Sequence, residues 1–187
     1  LYFTLFVLLI DIVGWGLGLA PACSDWINAN AAPVASLFFG LVVALVSILI
    51  IYGYANAMRP RVRKISIKIK KPVPDLQKLK IVFASDIHLG HLIGEKYLSK
   101  ILKMINDLEP DLVLFPGDIV DEDLKPVMEK KLGNLFRSLK PKYGVFAVTG
   151  NHEYIGGVEA AVEYLSAYGI RFLRDEAVLI DDKFWLA

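Results

Sequence analysis

Three short blocks in the C-terminal half collect residue types that bind divalent cations: Asp86-Ile87-His88, Gly117-Asp118-Ile119-Val120-Asp121 and Gly150-Asn151-His152-Glu153. Each follows a run of apolar, strand-forming residues: Ile81–Ala84, Leu112–Phe115 and Val145–Val148. The ligand-type side chains are therefore expected just past the C-terminal ends of three buried strands, the edge at which open α/β sheets bind ligands. Carboxylate, imidazole and amide oxygen gathered there suit one or two divalent metals of the Mn, Fe or Zn kind. Two of the chain's three histidines, His88 and His152, fall inside these blocks. Singly, each residue has a plainer use: Asp86 could cap the following turn, and Asn151 could satisfy a tight turn after Gly150. The weight lies in three ordered blocks at equivalent positions, because one short motif matches by chance.

The elements that must position these blocks alternate. Leu79–Ser85, Asp111–Phe115 and Tyr143–Thr149 read as strands. Glu95–Leu108 reads as a helix with Leu98, Ile101, Leu102 and Ile105 on one face, and Leu124–Leu139 as a second amphipathic helix with Pro126 in its first turn. Gly157–Ala167 reads as a third helix, and Ile170–Leu173, Ala177–Ile180 and Phe184–Ala187 as further short strands. Strand–helix alternation predicts a parallel sheet with helices on its faces.

The first third is of another kind. Mean hydropathy is +0.48, and 55% of the 187 residues are hydrophobic, an excess concentrated before residue 57 that points to lipid contact rather than a large core. Val34–Tyr54 contains no charged residue and no polar face, which predicts a transmembrane helix. Leu1–Ala20 is a second predicted span, weakened by Asp11 and by Gly14, Gly16 and Gly18. Residues 1–56 are thus read as a transmembrane region, 57–78 as a basic juxtamembrane strand and linker, and 79–187 as a catalytic-type domain. Pro21–Pro33 carries no Lys or Arg, whereas Arg59, Arg61, Arg63, Lys64, Lys68, Lys70 and Lys71 follow the second span. This asymmetry predicts an integral protein of the inner (cytoplasmic) membrane with the C-terminal domain in the cytoplasm. Ile65, Ile67 and Ile69 alternate with Ser66, Lys68 and Lys70, the period of a half-exposed edge strand. The net charge of +1 gives no global argument for nucleic acid, and the single cysteine, Cys23, excludes an intrachain disulfide or a Cys-rich zinc site.

DxH, GDxxD and GNHE, in that order and about thirty residues apart, resemble the calcineurin-like metallophosphoesterase superfamily. The wording SDIHLG, GDIVDED and GNHEYIGG behind a membrane segment resembles its membrane-attached bacterial branch. The likeness runs from about Leu79 to the end. It implies two sheets packed face to face with outer helices, a two-sheet sandwich that periodicity alone does not reveal. It also implies two divalent metal ions. By the resemblance, Asp86 and His88 are ligands of the first metal, Asp118 bridges both, and Asn151 is a ligand of the second. His152 is then free to protonate the leaving oxygen or hold the phosphate as charge develops. Asp121 is expected to brace the site as an outer acceptor. His91 lines the mouth of the site or is a solvated loop residue; Glu153 orients His152 or sits in solvent.

Two departures qualify the likeness. Protein phosphatases of the superfamily carry Arg-Gly after the second block, where this chain has Glu122-Asp123, which disfavours a phosphoprotein substrate. No histidine follows His152, so the His-rich blocks that complete both metal shells in the family are absent here. The chain is accordingly expected to be a piece of a longer protein, binding metal weakly and turning over little by itself. The resemblance implies a membrane-anchored phosphoesterase acting on a phosphodiester or pyrophosphate, with a lipid-linked substrate expected at the bilayer. Hydrolysis of a UDP-2,3-diacylglucosamine in lipid A synthesis is one alternative, and a non-catalytic membrane-attached binding module is another.

Overall fold

A computed structural model describes residues 31–70, 73 and 76–187, together with residues 4, 5, 8, 11–13, 15, 16 and 29. The chain divides into two compact units, Leu1–Val62 and Arg63–Ala187. In the first, Ala31–Ala57 forms a helix of 27 residues, α1. At about 1.5 Å per residue it reaches roughly 40 Å, more than the ~30 Å of bilayer hydrocarbon. Ala35–Ala57 has a mean hydropathy of 2.6 and is the only candidate span among the described residues. Its apolar side chains are largely exposed, with Leu37 at 63%, Phe39 at 67% and Ile51 at 67%, so protein packing does not account for their sequence. The other predicted span, residues 1–20, lies for the most part outside the described residues, as do most of Pro21–Pro33 and the stiff connector at Lys71–Pro74.

In the second unit β1 (Ile81–Phe83), β2 (Leu112–Pro116), β3 (Val145–Val148) and β4 (Ile170–Phe172) form one sheet in the order β1-β2-β3-β4. All three pairings are parallel. The crossovers are made by α2 (Glu95–Asp107), then α3 (Lys125–Glu129) with α4 (Gly133–Phe136), then α5 (Asn151–Gly156) with α6 (Val158–Ser166). Leu98, Leu102 and Ile105 of α2 recur on one face and are buried against Val113 and Phe115 of β2, each contributing about 1.5–3 kcal/mol. Alternate residues of β2 and β3, Leu112 and Phe146, point to the other face. There they pack with Val178 and Ile180 of β5 (Val178–Ile180), which is paired antiparallel with β6 (Phe184–Leu186). β2 is buried on both faces, as an internal parallel strand must be.

Two predicted elements differ. Leu124–Leu139 is not one helix but α3 and α4, separated by Lys131 in the left-handed region at φ 51°. The break lets Gly133 approach Tyr168, whose ring would lie 2.2 Å from a Cβ at that position. The Tyr164 hydroxyl accepts the Gly133 N–H and donates to the Val127 carbonyl, joining α6 to both short helices. Burial raises its pKa, keeping it a donor. The predicted edge strand at Ile65–Ile69 is not formed: residues 61–69 pair with no strand, and the three isoleucines are 79–83% exposed. Period-two alternation describes a fit to a pleated surface, but a strand also needs a ladder partner for its main-chain groups, which the described residues do not supply.

Candidate metal centre

The site is built by alternating anchors and ligands. In the loop after β1, Ile87 (2% exposed) and Leu89 (0%) are buried, and Asp86 and His88 between and beside them face outward. After β2, Ile119 and Val120 are buried and flanked by Asp118 and Asp121. The two loops are laddered together: the N–H groups of His88 and Leu89 donate to the carbonyls of Asp118 and Ile119 at 3.0 and 2.9 Å, and Asp121 N–H returns to Leu89 at 2.9 Å. Thus the buried isoleucines fix the register that presents the ligands on one side.

This presentation requires unusual backbone. Asp86, His88 and Asp118 have φ of 55°, 51° and 52°, the left-handed region that costs a non-glycine residue of order 1 kcal/mol or more. The loops after β2 and β3 approach at glycines. A Cβ on Gly117 (φ 96°) would lie 2.8 Å from Gly150, and one on Gly150 would lie 2.2 Å from the Asp118 carboxylate. His152 N–H donates to Asp118 Oδ1 at 3.0 Å, so the second and third blocks meet at this carboxylate.

Two overlapping clusters result: Asp86, His88 and Asp118, and His88, Asp121 and His152, each with ligand atoms within 4.8 Å of one another. Neighbouring ligands of a tetrahedral ion at about 2.0–2.2 Å stand roughly 3.4 Å apart; His88 stands 4.0 Å from both Asp86 and Asp121, so the side chains would draw together by about half an ångström around an ion. The all-nitrogen-and-oxygen donor set matches a divalent transition metal. The His88 and His152 rings meet edge-on, centroids 4.4 Å apart. His152 Nδ1 lies 2.9 Å from Asp121 Oδ1, an interaction that orients the ring and leaves Nε2 free of it. Asn151 opens α5 between Gly150 and His152 and is exposed; its side chain is in neither cluster. His91 is not in either: it is 77% exposed and 3.5 Å from Asp123.

Residues 79–185 match the Calcineurin-like phosphoesterase family. The chain belongs to that family. Among curated relatives, a zebrafish (Danio rerio) "Transmembrane protein with metallophosphoesterase domain" is 34% identical over 152 residues, 79% of this chain and 34% of that protein. An uncharacterized metallophosphoesterase of Helicobacter pylori is 29% identical over 178 residues, 94% of this chain and 46% of that protein. That stretch necessarily takes in most or all of α1. A UDP-2,3-diacylglucosamine pyrophosphatase, LpxG, of Chlamydia trachomatis is 33% identical over 122 residues, 62% of this chain and 37% of that protein. The chain therefore spans about a third to a half of the length of these relatives. As a member of this family it carries a metallophosphoesterase domain after an apolar helix, and that helix, with the similarity to a protein named as transmembrane, supports association with a membrane.

Sequence reasoning missed Glu153. It neither orients His152 nor sits in solvent: it is 1% exposed, and its carboxylate accepts the main-chain N–H groups of Asp118, Val120 and Gly150 at 3.0, 2.9 and 2.8 Å. The available signal was local. A Glu three residues past Gly150, where α5 begins, is half of a capping box, although no helix was predicted at Asn151. The two longer-range bonds had no sequence signature.

Proposed function

We propose that this domain is the metal-binding half of a membrane-anchored phosphoesterase that hydrolyses a phosphodiester or pyrophosphate. The observation that carries the reading is the convergence of Asp86, His88 and Asp118 with the Asp121–His152 pair at one sheet edge. Asp86 and His88 would hold one divalent ion, Asn151 a second, and Asp118 both. Bound there, such ions would polarise phosphoryl oxygens and lower the pKa of water toward neutrality. The chain's own contribution is orientation and proton handling. Asp121 accepts from Nδ1 of His152, fixing the tautomer with Nε2 toward the site, where the ring can protonate a leaving oxygen or hold a phosphoryl oxygen. The buried isoleucines and the left-handed loops hold these groups in place before substrate arrives.

A lipid-linked substrate is the reading favoured for specificity. α1 would hold the domain at the bilayer, where lipid headgroups are concentrated, and the similarity to LpxG supports a nucleotide–lipid pyrophosphate as one candidate. The seven basic residues from Arg59 to Lys71 favour a cytoplasmic site on the inner membrane. In domain terms this assigns 1–56 to the membrane, 57–78 to a basic linker and 79–187 to the phosphoesterase domain.

The test is hydrolysis of bis(p-nitrophenyl) phosphate by the full-length protein with Mn²⁺, followed by matched lipid-linked and delipidated pyrophosphates in vesicles. Mn²⁺-dependent turnover is expected, with higher kcat/KM for the lipid-linked compound. Equal values would remove the lipid reading, and no turnover with any phosphoester would remove the enzyme. Protease digestion of the domain in inverted vesicles but not in intact cells is expected from the cytoplasmic orientation; the reverse pattern would overturn it.

A further inference from the structure

Glu153 is the one buried charged-type side chain among the described core residues, at 1% exposure. No cation pairs with it in the described contacts; its partners are three main-chain N–H groups from two loops. Oε2 accepts from Asp118 at 3.0 Å and Gly150 at 2.8 Å, and Oε1 accepts from Val120 at 2.9 Å. The Gly150 bond alone would be an ordinary helix-start contact. The other two are not, since Asp118 and Val120 lie 35 and 33 residues away in sequence. They are also the residues whose orphan N–H groups the left-handed turn at Asp118 creates: with φ 52° there and φ 96° at Gly117, the chain leaves the β ladder and its donors need a new acceptor.

We propose that Glu153 is a positioning residue for the metal centre: one buried carboxylate, by accepting the N–H groups of Asp118, Val120 and Gly150, clamps the Asp118 loop against the loop carrying Asn151 and His152. Asp118 is the side chain that would serve both ions, and Asn151 and His152 belong to the facing block. The clamp therefore sets the distance between donors on different loops, which no single loop can set. The inference rests on the metal reading above for its consequence, but the clamp itself consists of protein hydrogen bonds alone. It also explains why the third block ends in an acid. A carboxylate offers two acceptor oxygens and no donor, whereas a glutamine in its place offers one acceptor and brings an NH₂ group against an N–H. Placing the amide oxygen at the Oε2 position would satisfy Asp118 and Gly150 and leave Val120 facing a donor.

The experiment is amide hydrogen exchange on the metal-free full-length protein, comparing wild type with Glu153→Gln and Glu153→Ala, followed by Mn²⁺ titration of each. In Glu153→Gln, exchange at Val120 is expected to rise at least about tenfold, with Asp118 and Gly150 less affected; in Glu153→Ala all three should rise. The amides of Val113 and Phe115, inside the sheet, should stay protected in both. Mn²⁺ affinity should fall about 10–100-fold in Glu153→Gln, the range for partners that act through a ligand. Unchanged exchange at Val120 and unchanged Mn²⁺ affinity in Glu153→Gln would overturn the proposal. So would loss of protection at Val113 and Phe115 in both variants, which would make Glu153 a general folding residue. Failure of the wild type to bind Mn²⁺ would sink the metal reading separately, with the exchange comparison still deciding whether Glu153 clamps the loops.

Discussion

At the sheet edge, Asp86, His88 and Asp118 adopt φ of 55°, 51° and 52°; in the turn between β5 and β6, Asp181 and Asp182 adopt 49° and 52°. The backbone conformation is the same and its causes are opposite. The turn is local: Lys183 N–H donates to the Ile180 carbonyl at 2.9 Å, and a tight hairpin turn with two left-handed central residues matches the twist of its strands. Asp is tolerated there because its short side chain accepts that conformation better than most. At the sheet edge no such turn exists. The left-handed residues are held by contacts distant in sequence, among them the Glu153 carboxylate and the Asp118–His152 bond. Unusual backbone imposed from a distance and ending in ligand-type side chains points to function, whereas the same backbone in a short local turn points only to a turn.

The largest test of that contrast is Asp118→Asn. Asparagine keeps the shape, the tolerance for positive φ and an oxygen for the His152 N–H, so folding stability should change little. Phosphodiester hydrolysis by the full-length protein should nevertheless fall by at least ~10²–10³, because charge at the reacting centre is removed. A chelator should reproduce the loss in wild type, with recovery on adding Mn²⁺. Retained turnover in Asp118→Asn would dissolve the functional half of the comparison. A smaller effect is expected from Asp121→Asn, which touches His152 only at Nδ1. An amide in place of the carboxylate is a weaker, neutral acceptor and can turn its NH₂ toward the ring, so the ring and its tautomer are held less firmly, and a fall of about 10–100-fold, mostly in kcat, is expected. A change confined to KM would instead assign Asp121 to substrate binding.

How much of this was legible beforehand follows the same division. The strands of the main sheet and their parallel arrangement came from apolar runs alternating with helical periods, Leu112–Phe115 above all. The ligand positions came from residue types set at strand ends. What failed was whatever depends on a partner far along the chain. Leu124–Leu139 keeps its helical period straight through the break at Lys131, because the contact that goes with the break, Tyr168 against Gly133, lies far along the chain. Ile65–Ile69 alternates as a strand does, but alternation does not name a partner. Glu153 reads from sequence as an acid that orients His152 or sits in solvent, since nothing local shows that Asp118 and Val120 need its carboxylate as acceptor.

The turn supplies the converse test. Asp182→Gly places at φ 52° the residue that adopts it most readily. Relief of local strain, partly offset by the greater freedom of glycine in the unfolded chain, should leave stability unchanged or raised by up to about 1 kcal/mol, with hydrolysis unaltered. Thermal unfolding and a turnover assay on one preparation would check both. A marked loss of activity would mean that the turn is not merely local, and the two sets of left-handed residues would no longer differ as argued.

The smallest effect concerns charge in that turn. Asp181 is paired with Lys183, and that hydrogen bond, with the lysine's charge, holds its pKa below the ordinary carboxylate value. A carboxylate whose pKa is depressed in the folded state contributes stability that is fully present above its unfolded pKa. That contribution is lost as pH falls through the folded pKa. Asp181→Asn keeps the left-handed preference and removes the titration, so wild type should exceed the variant slightly at neutral pH and converge with it in acid. Because the pair lies in solvent, salt should shrink the difference at neutral pH. Denaturant melts of the two proteins at neutral and acid pH, with and without added salt, would read it. A difference that grows on acidification would reverse the assigned sign, and the Asp181–Lys183 pair would have no part in holding the turn.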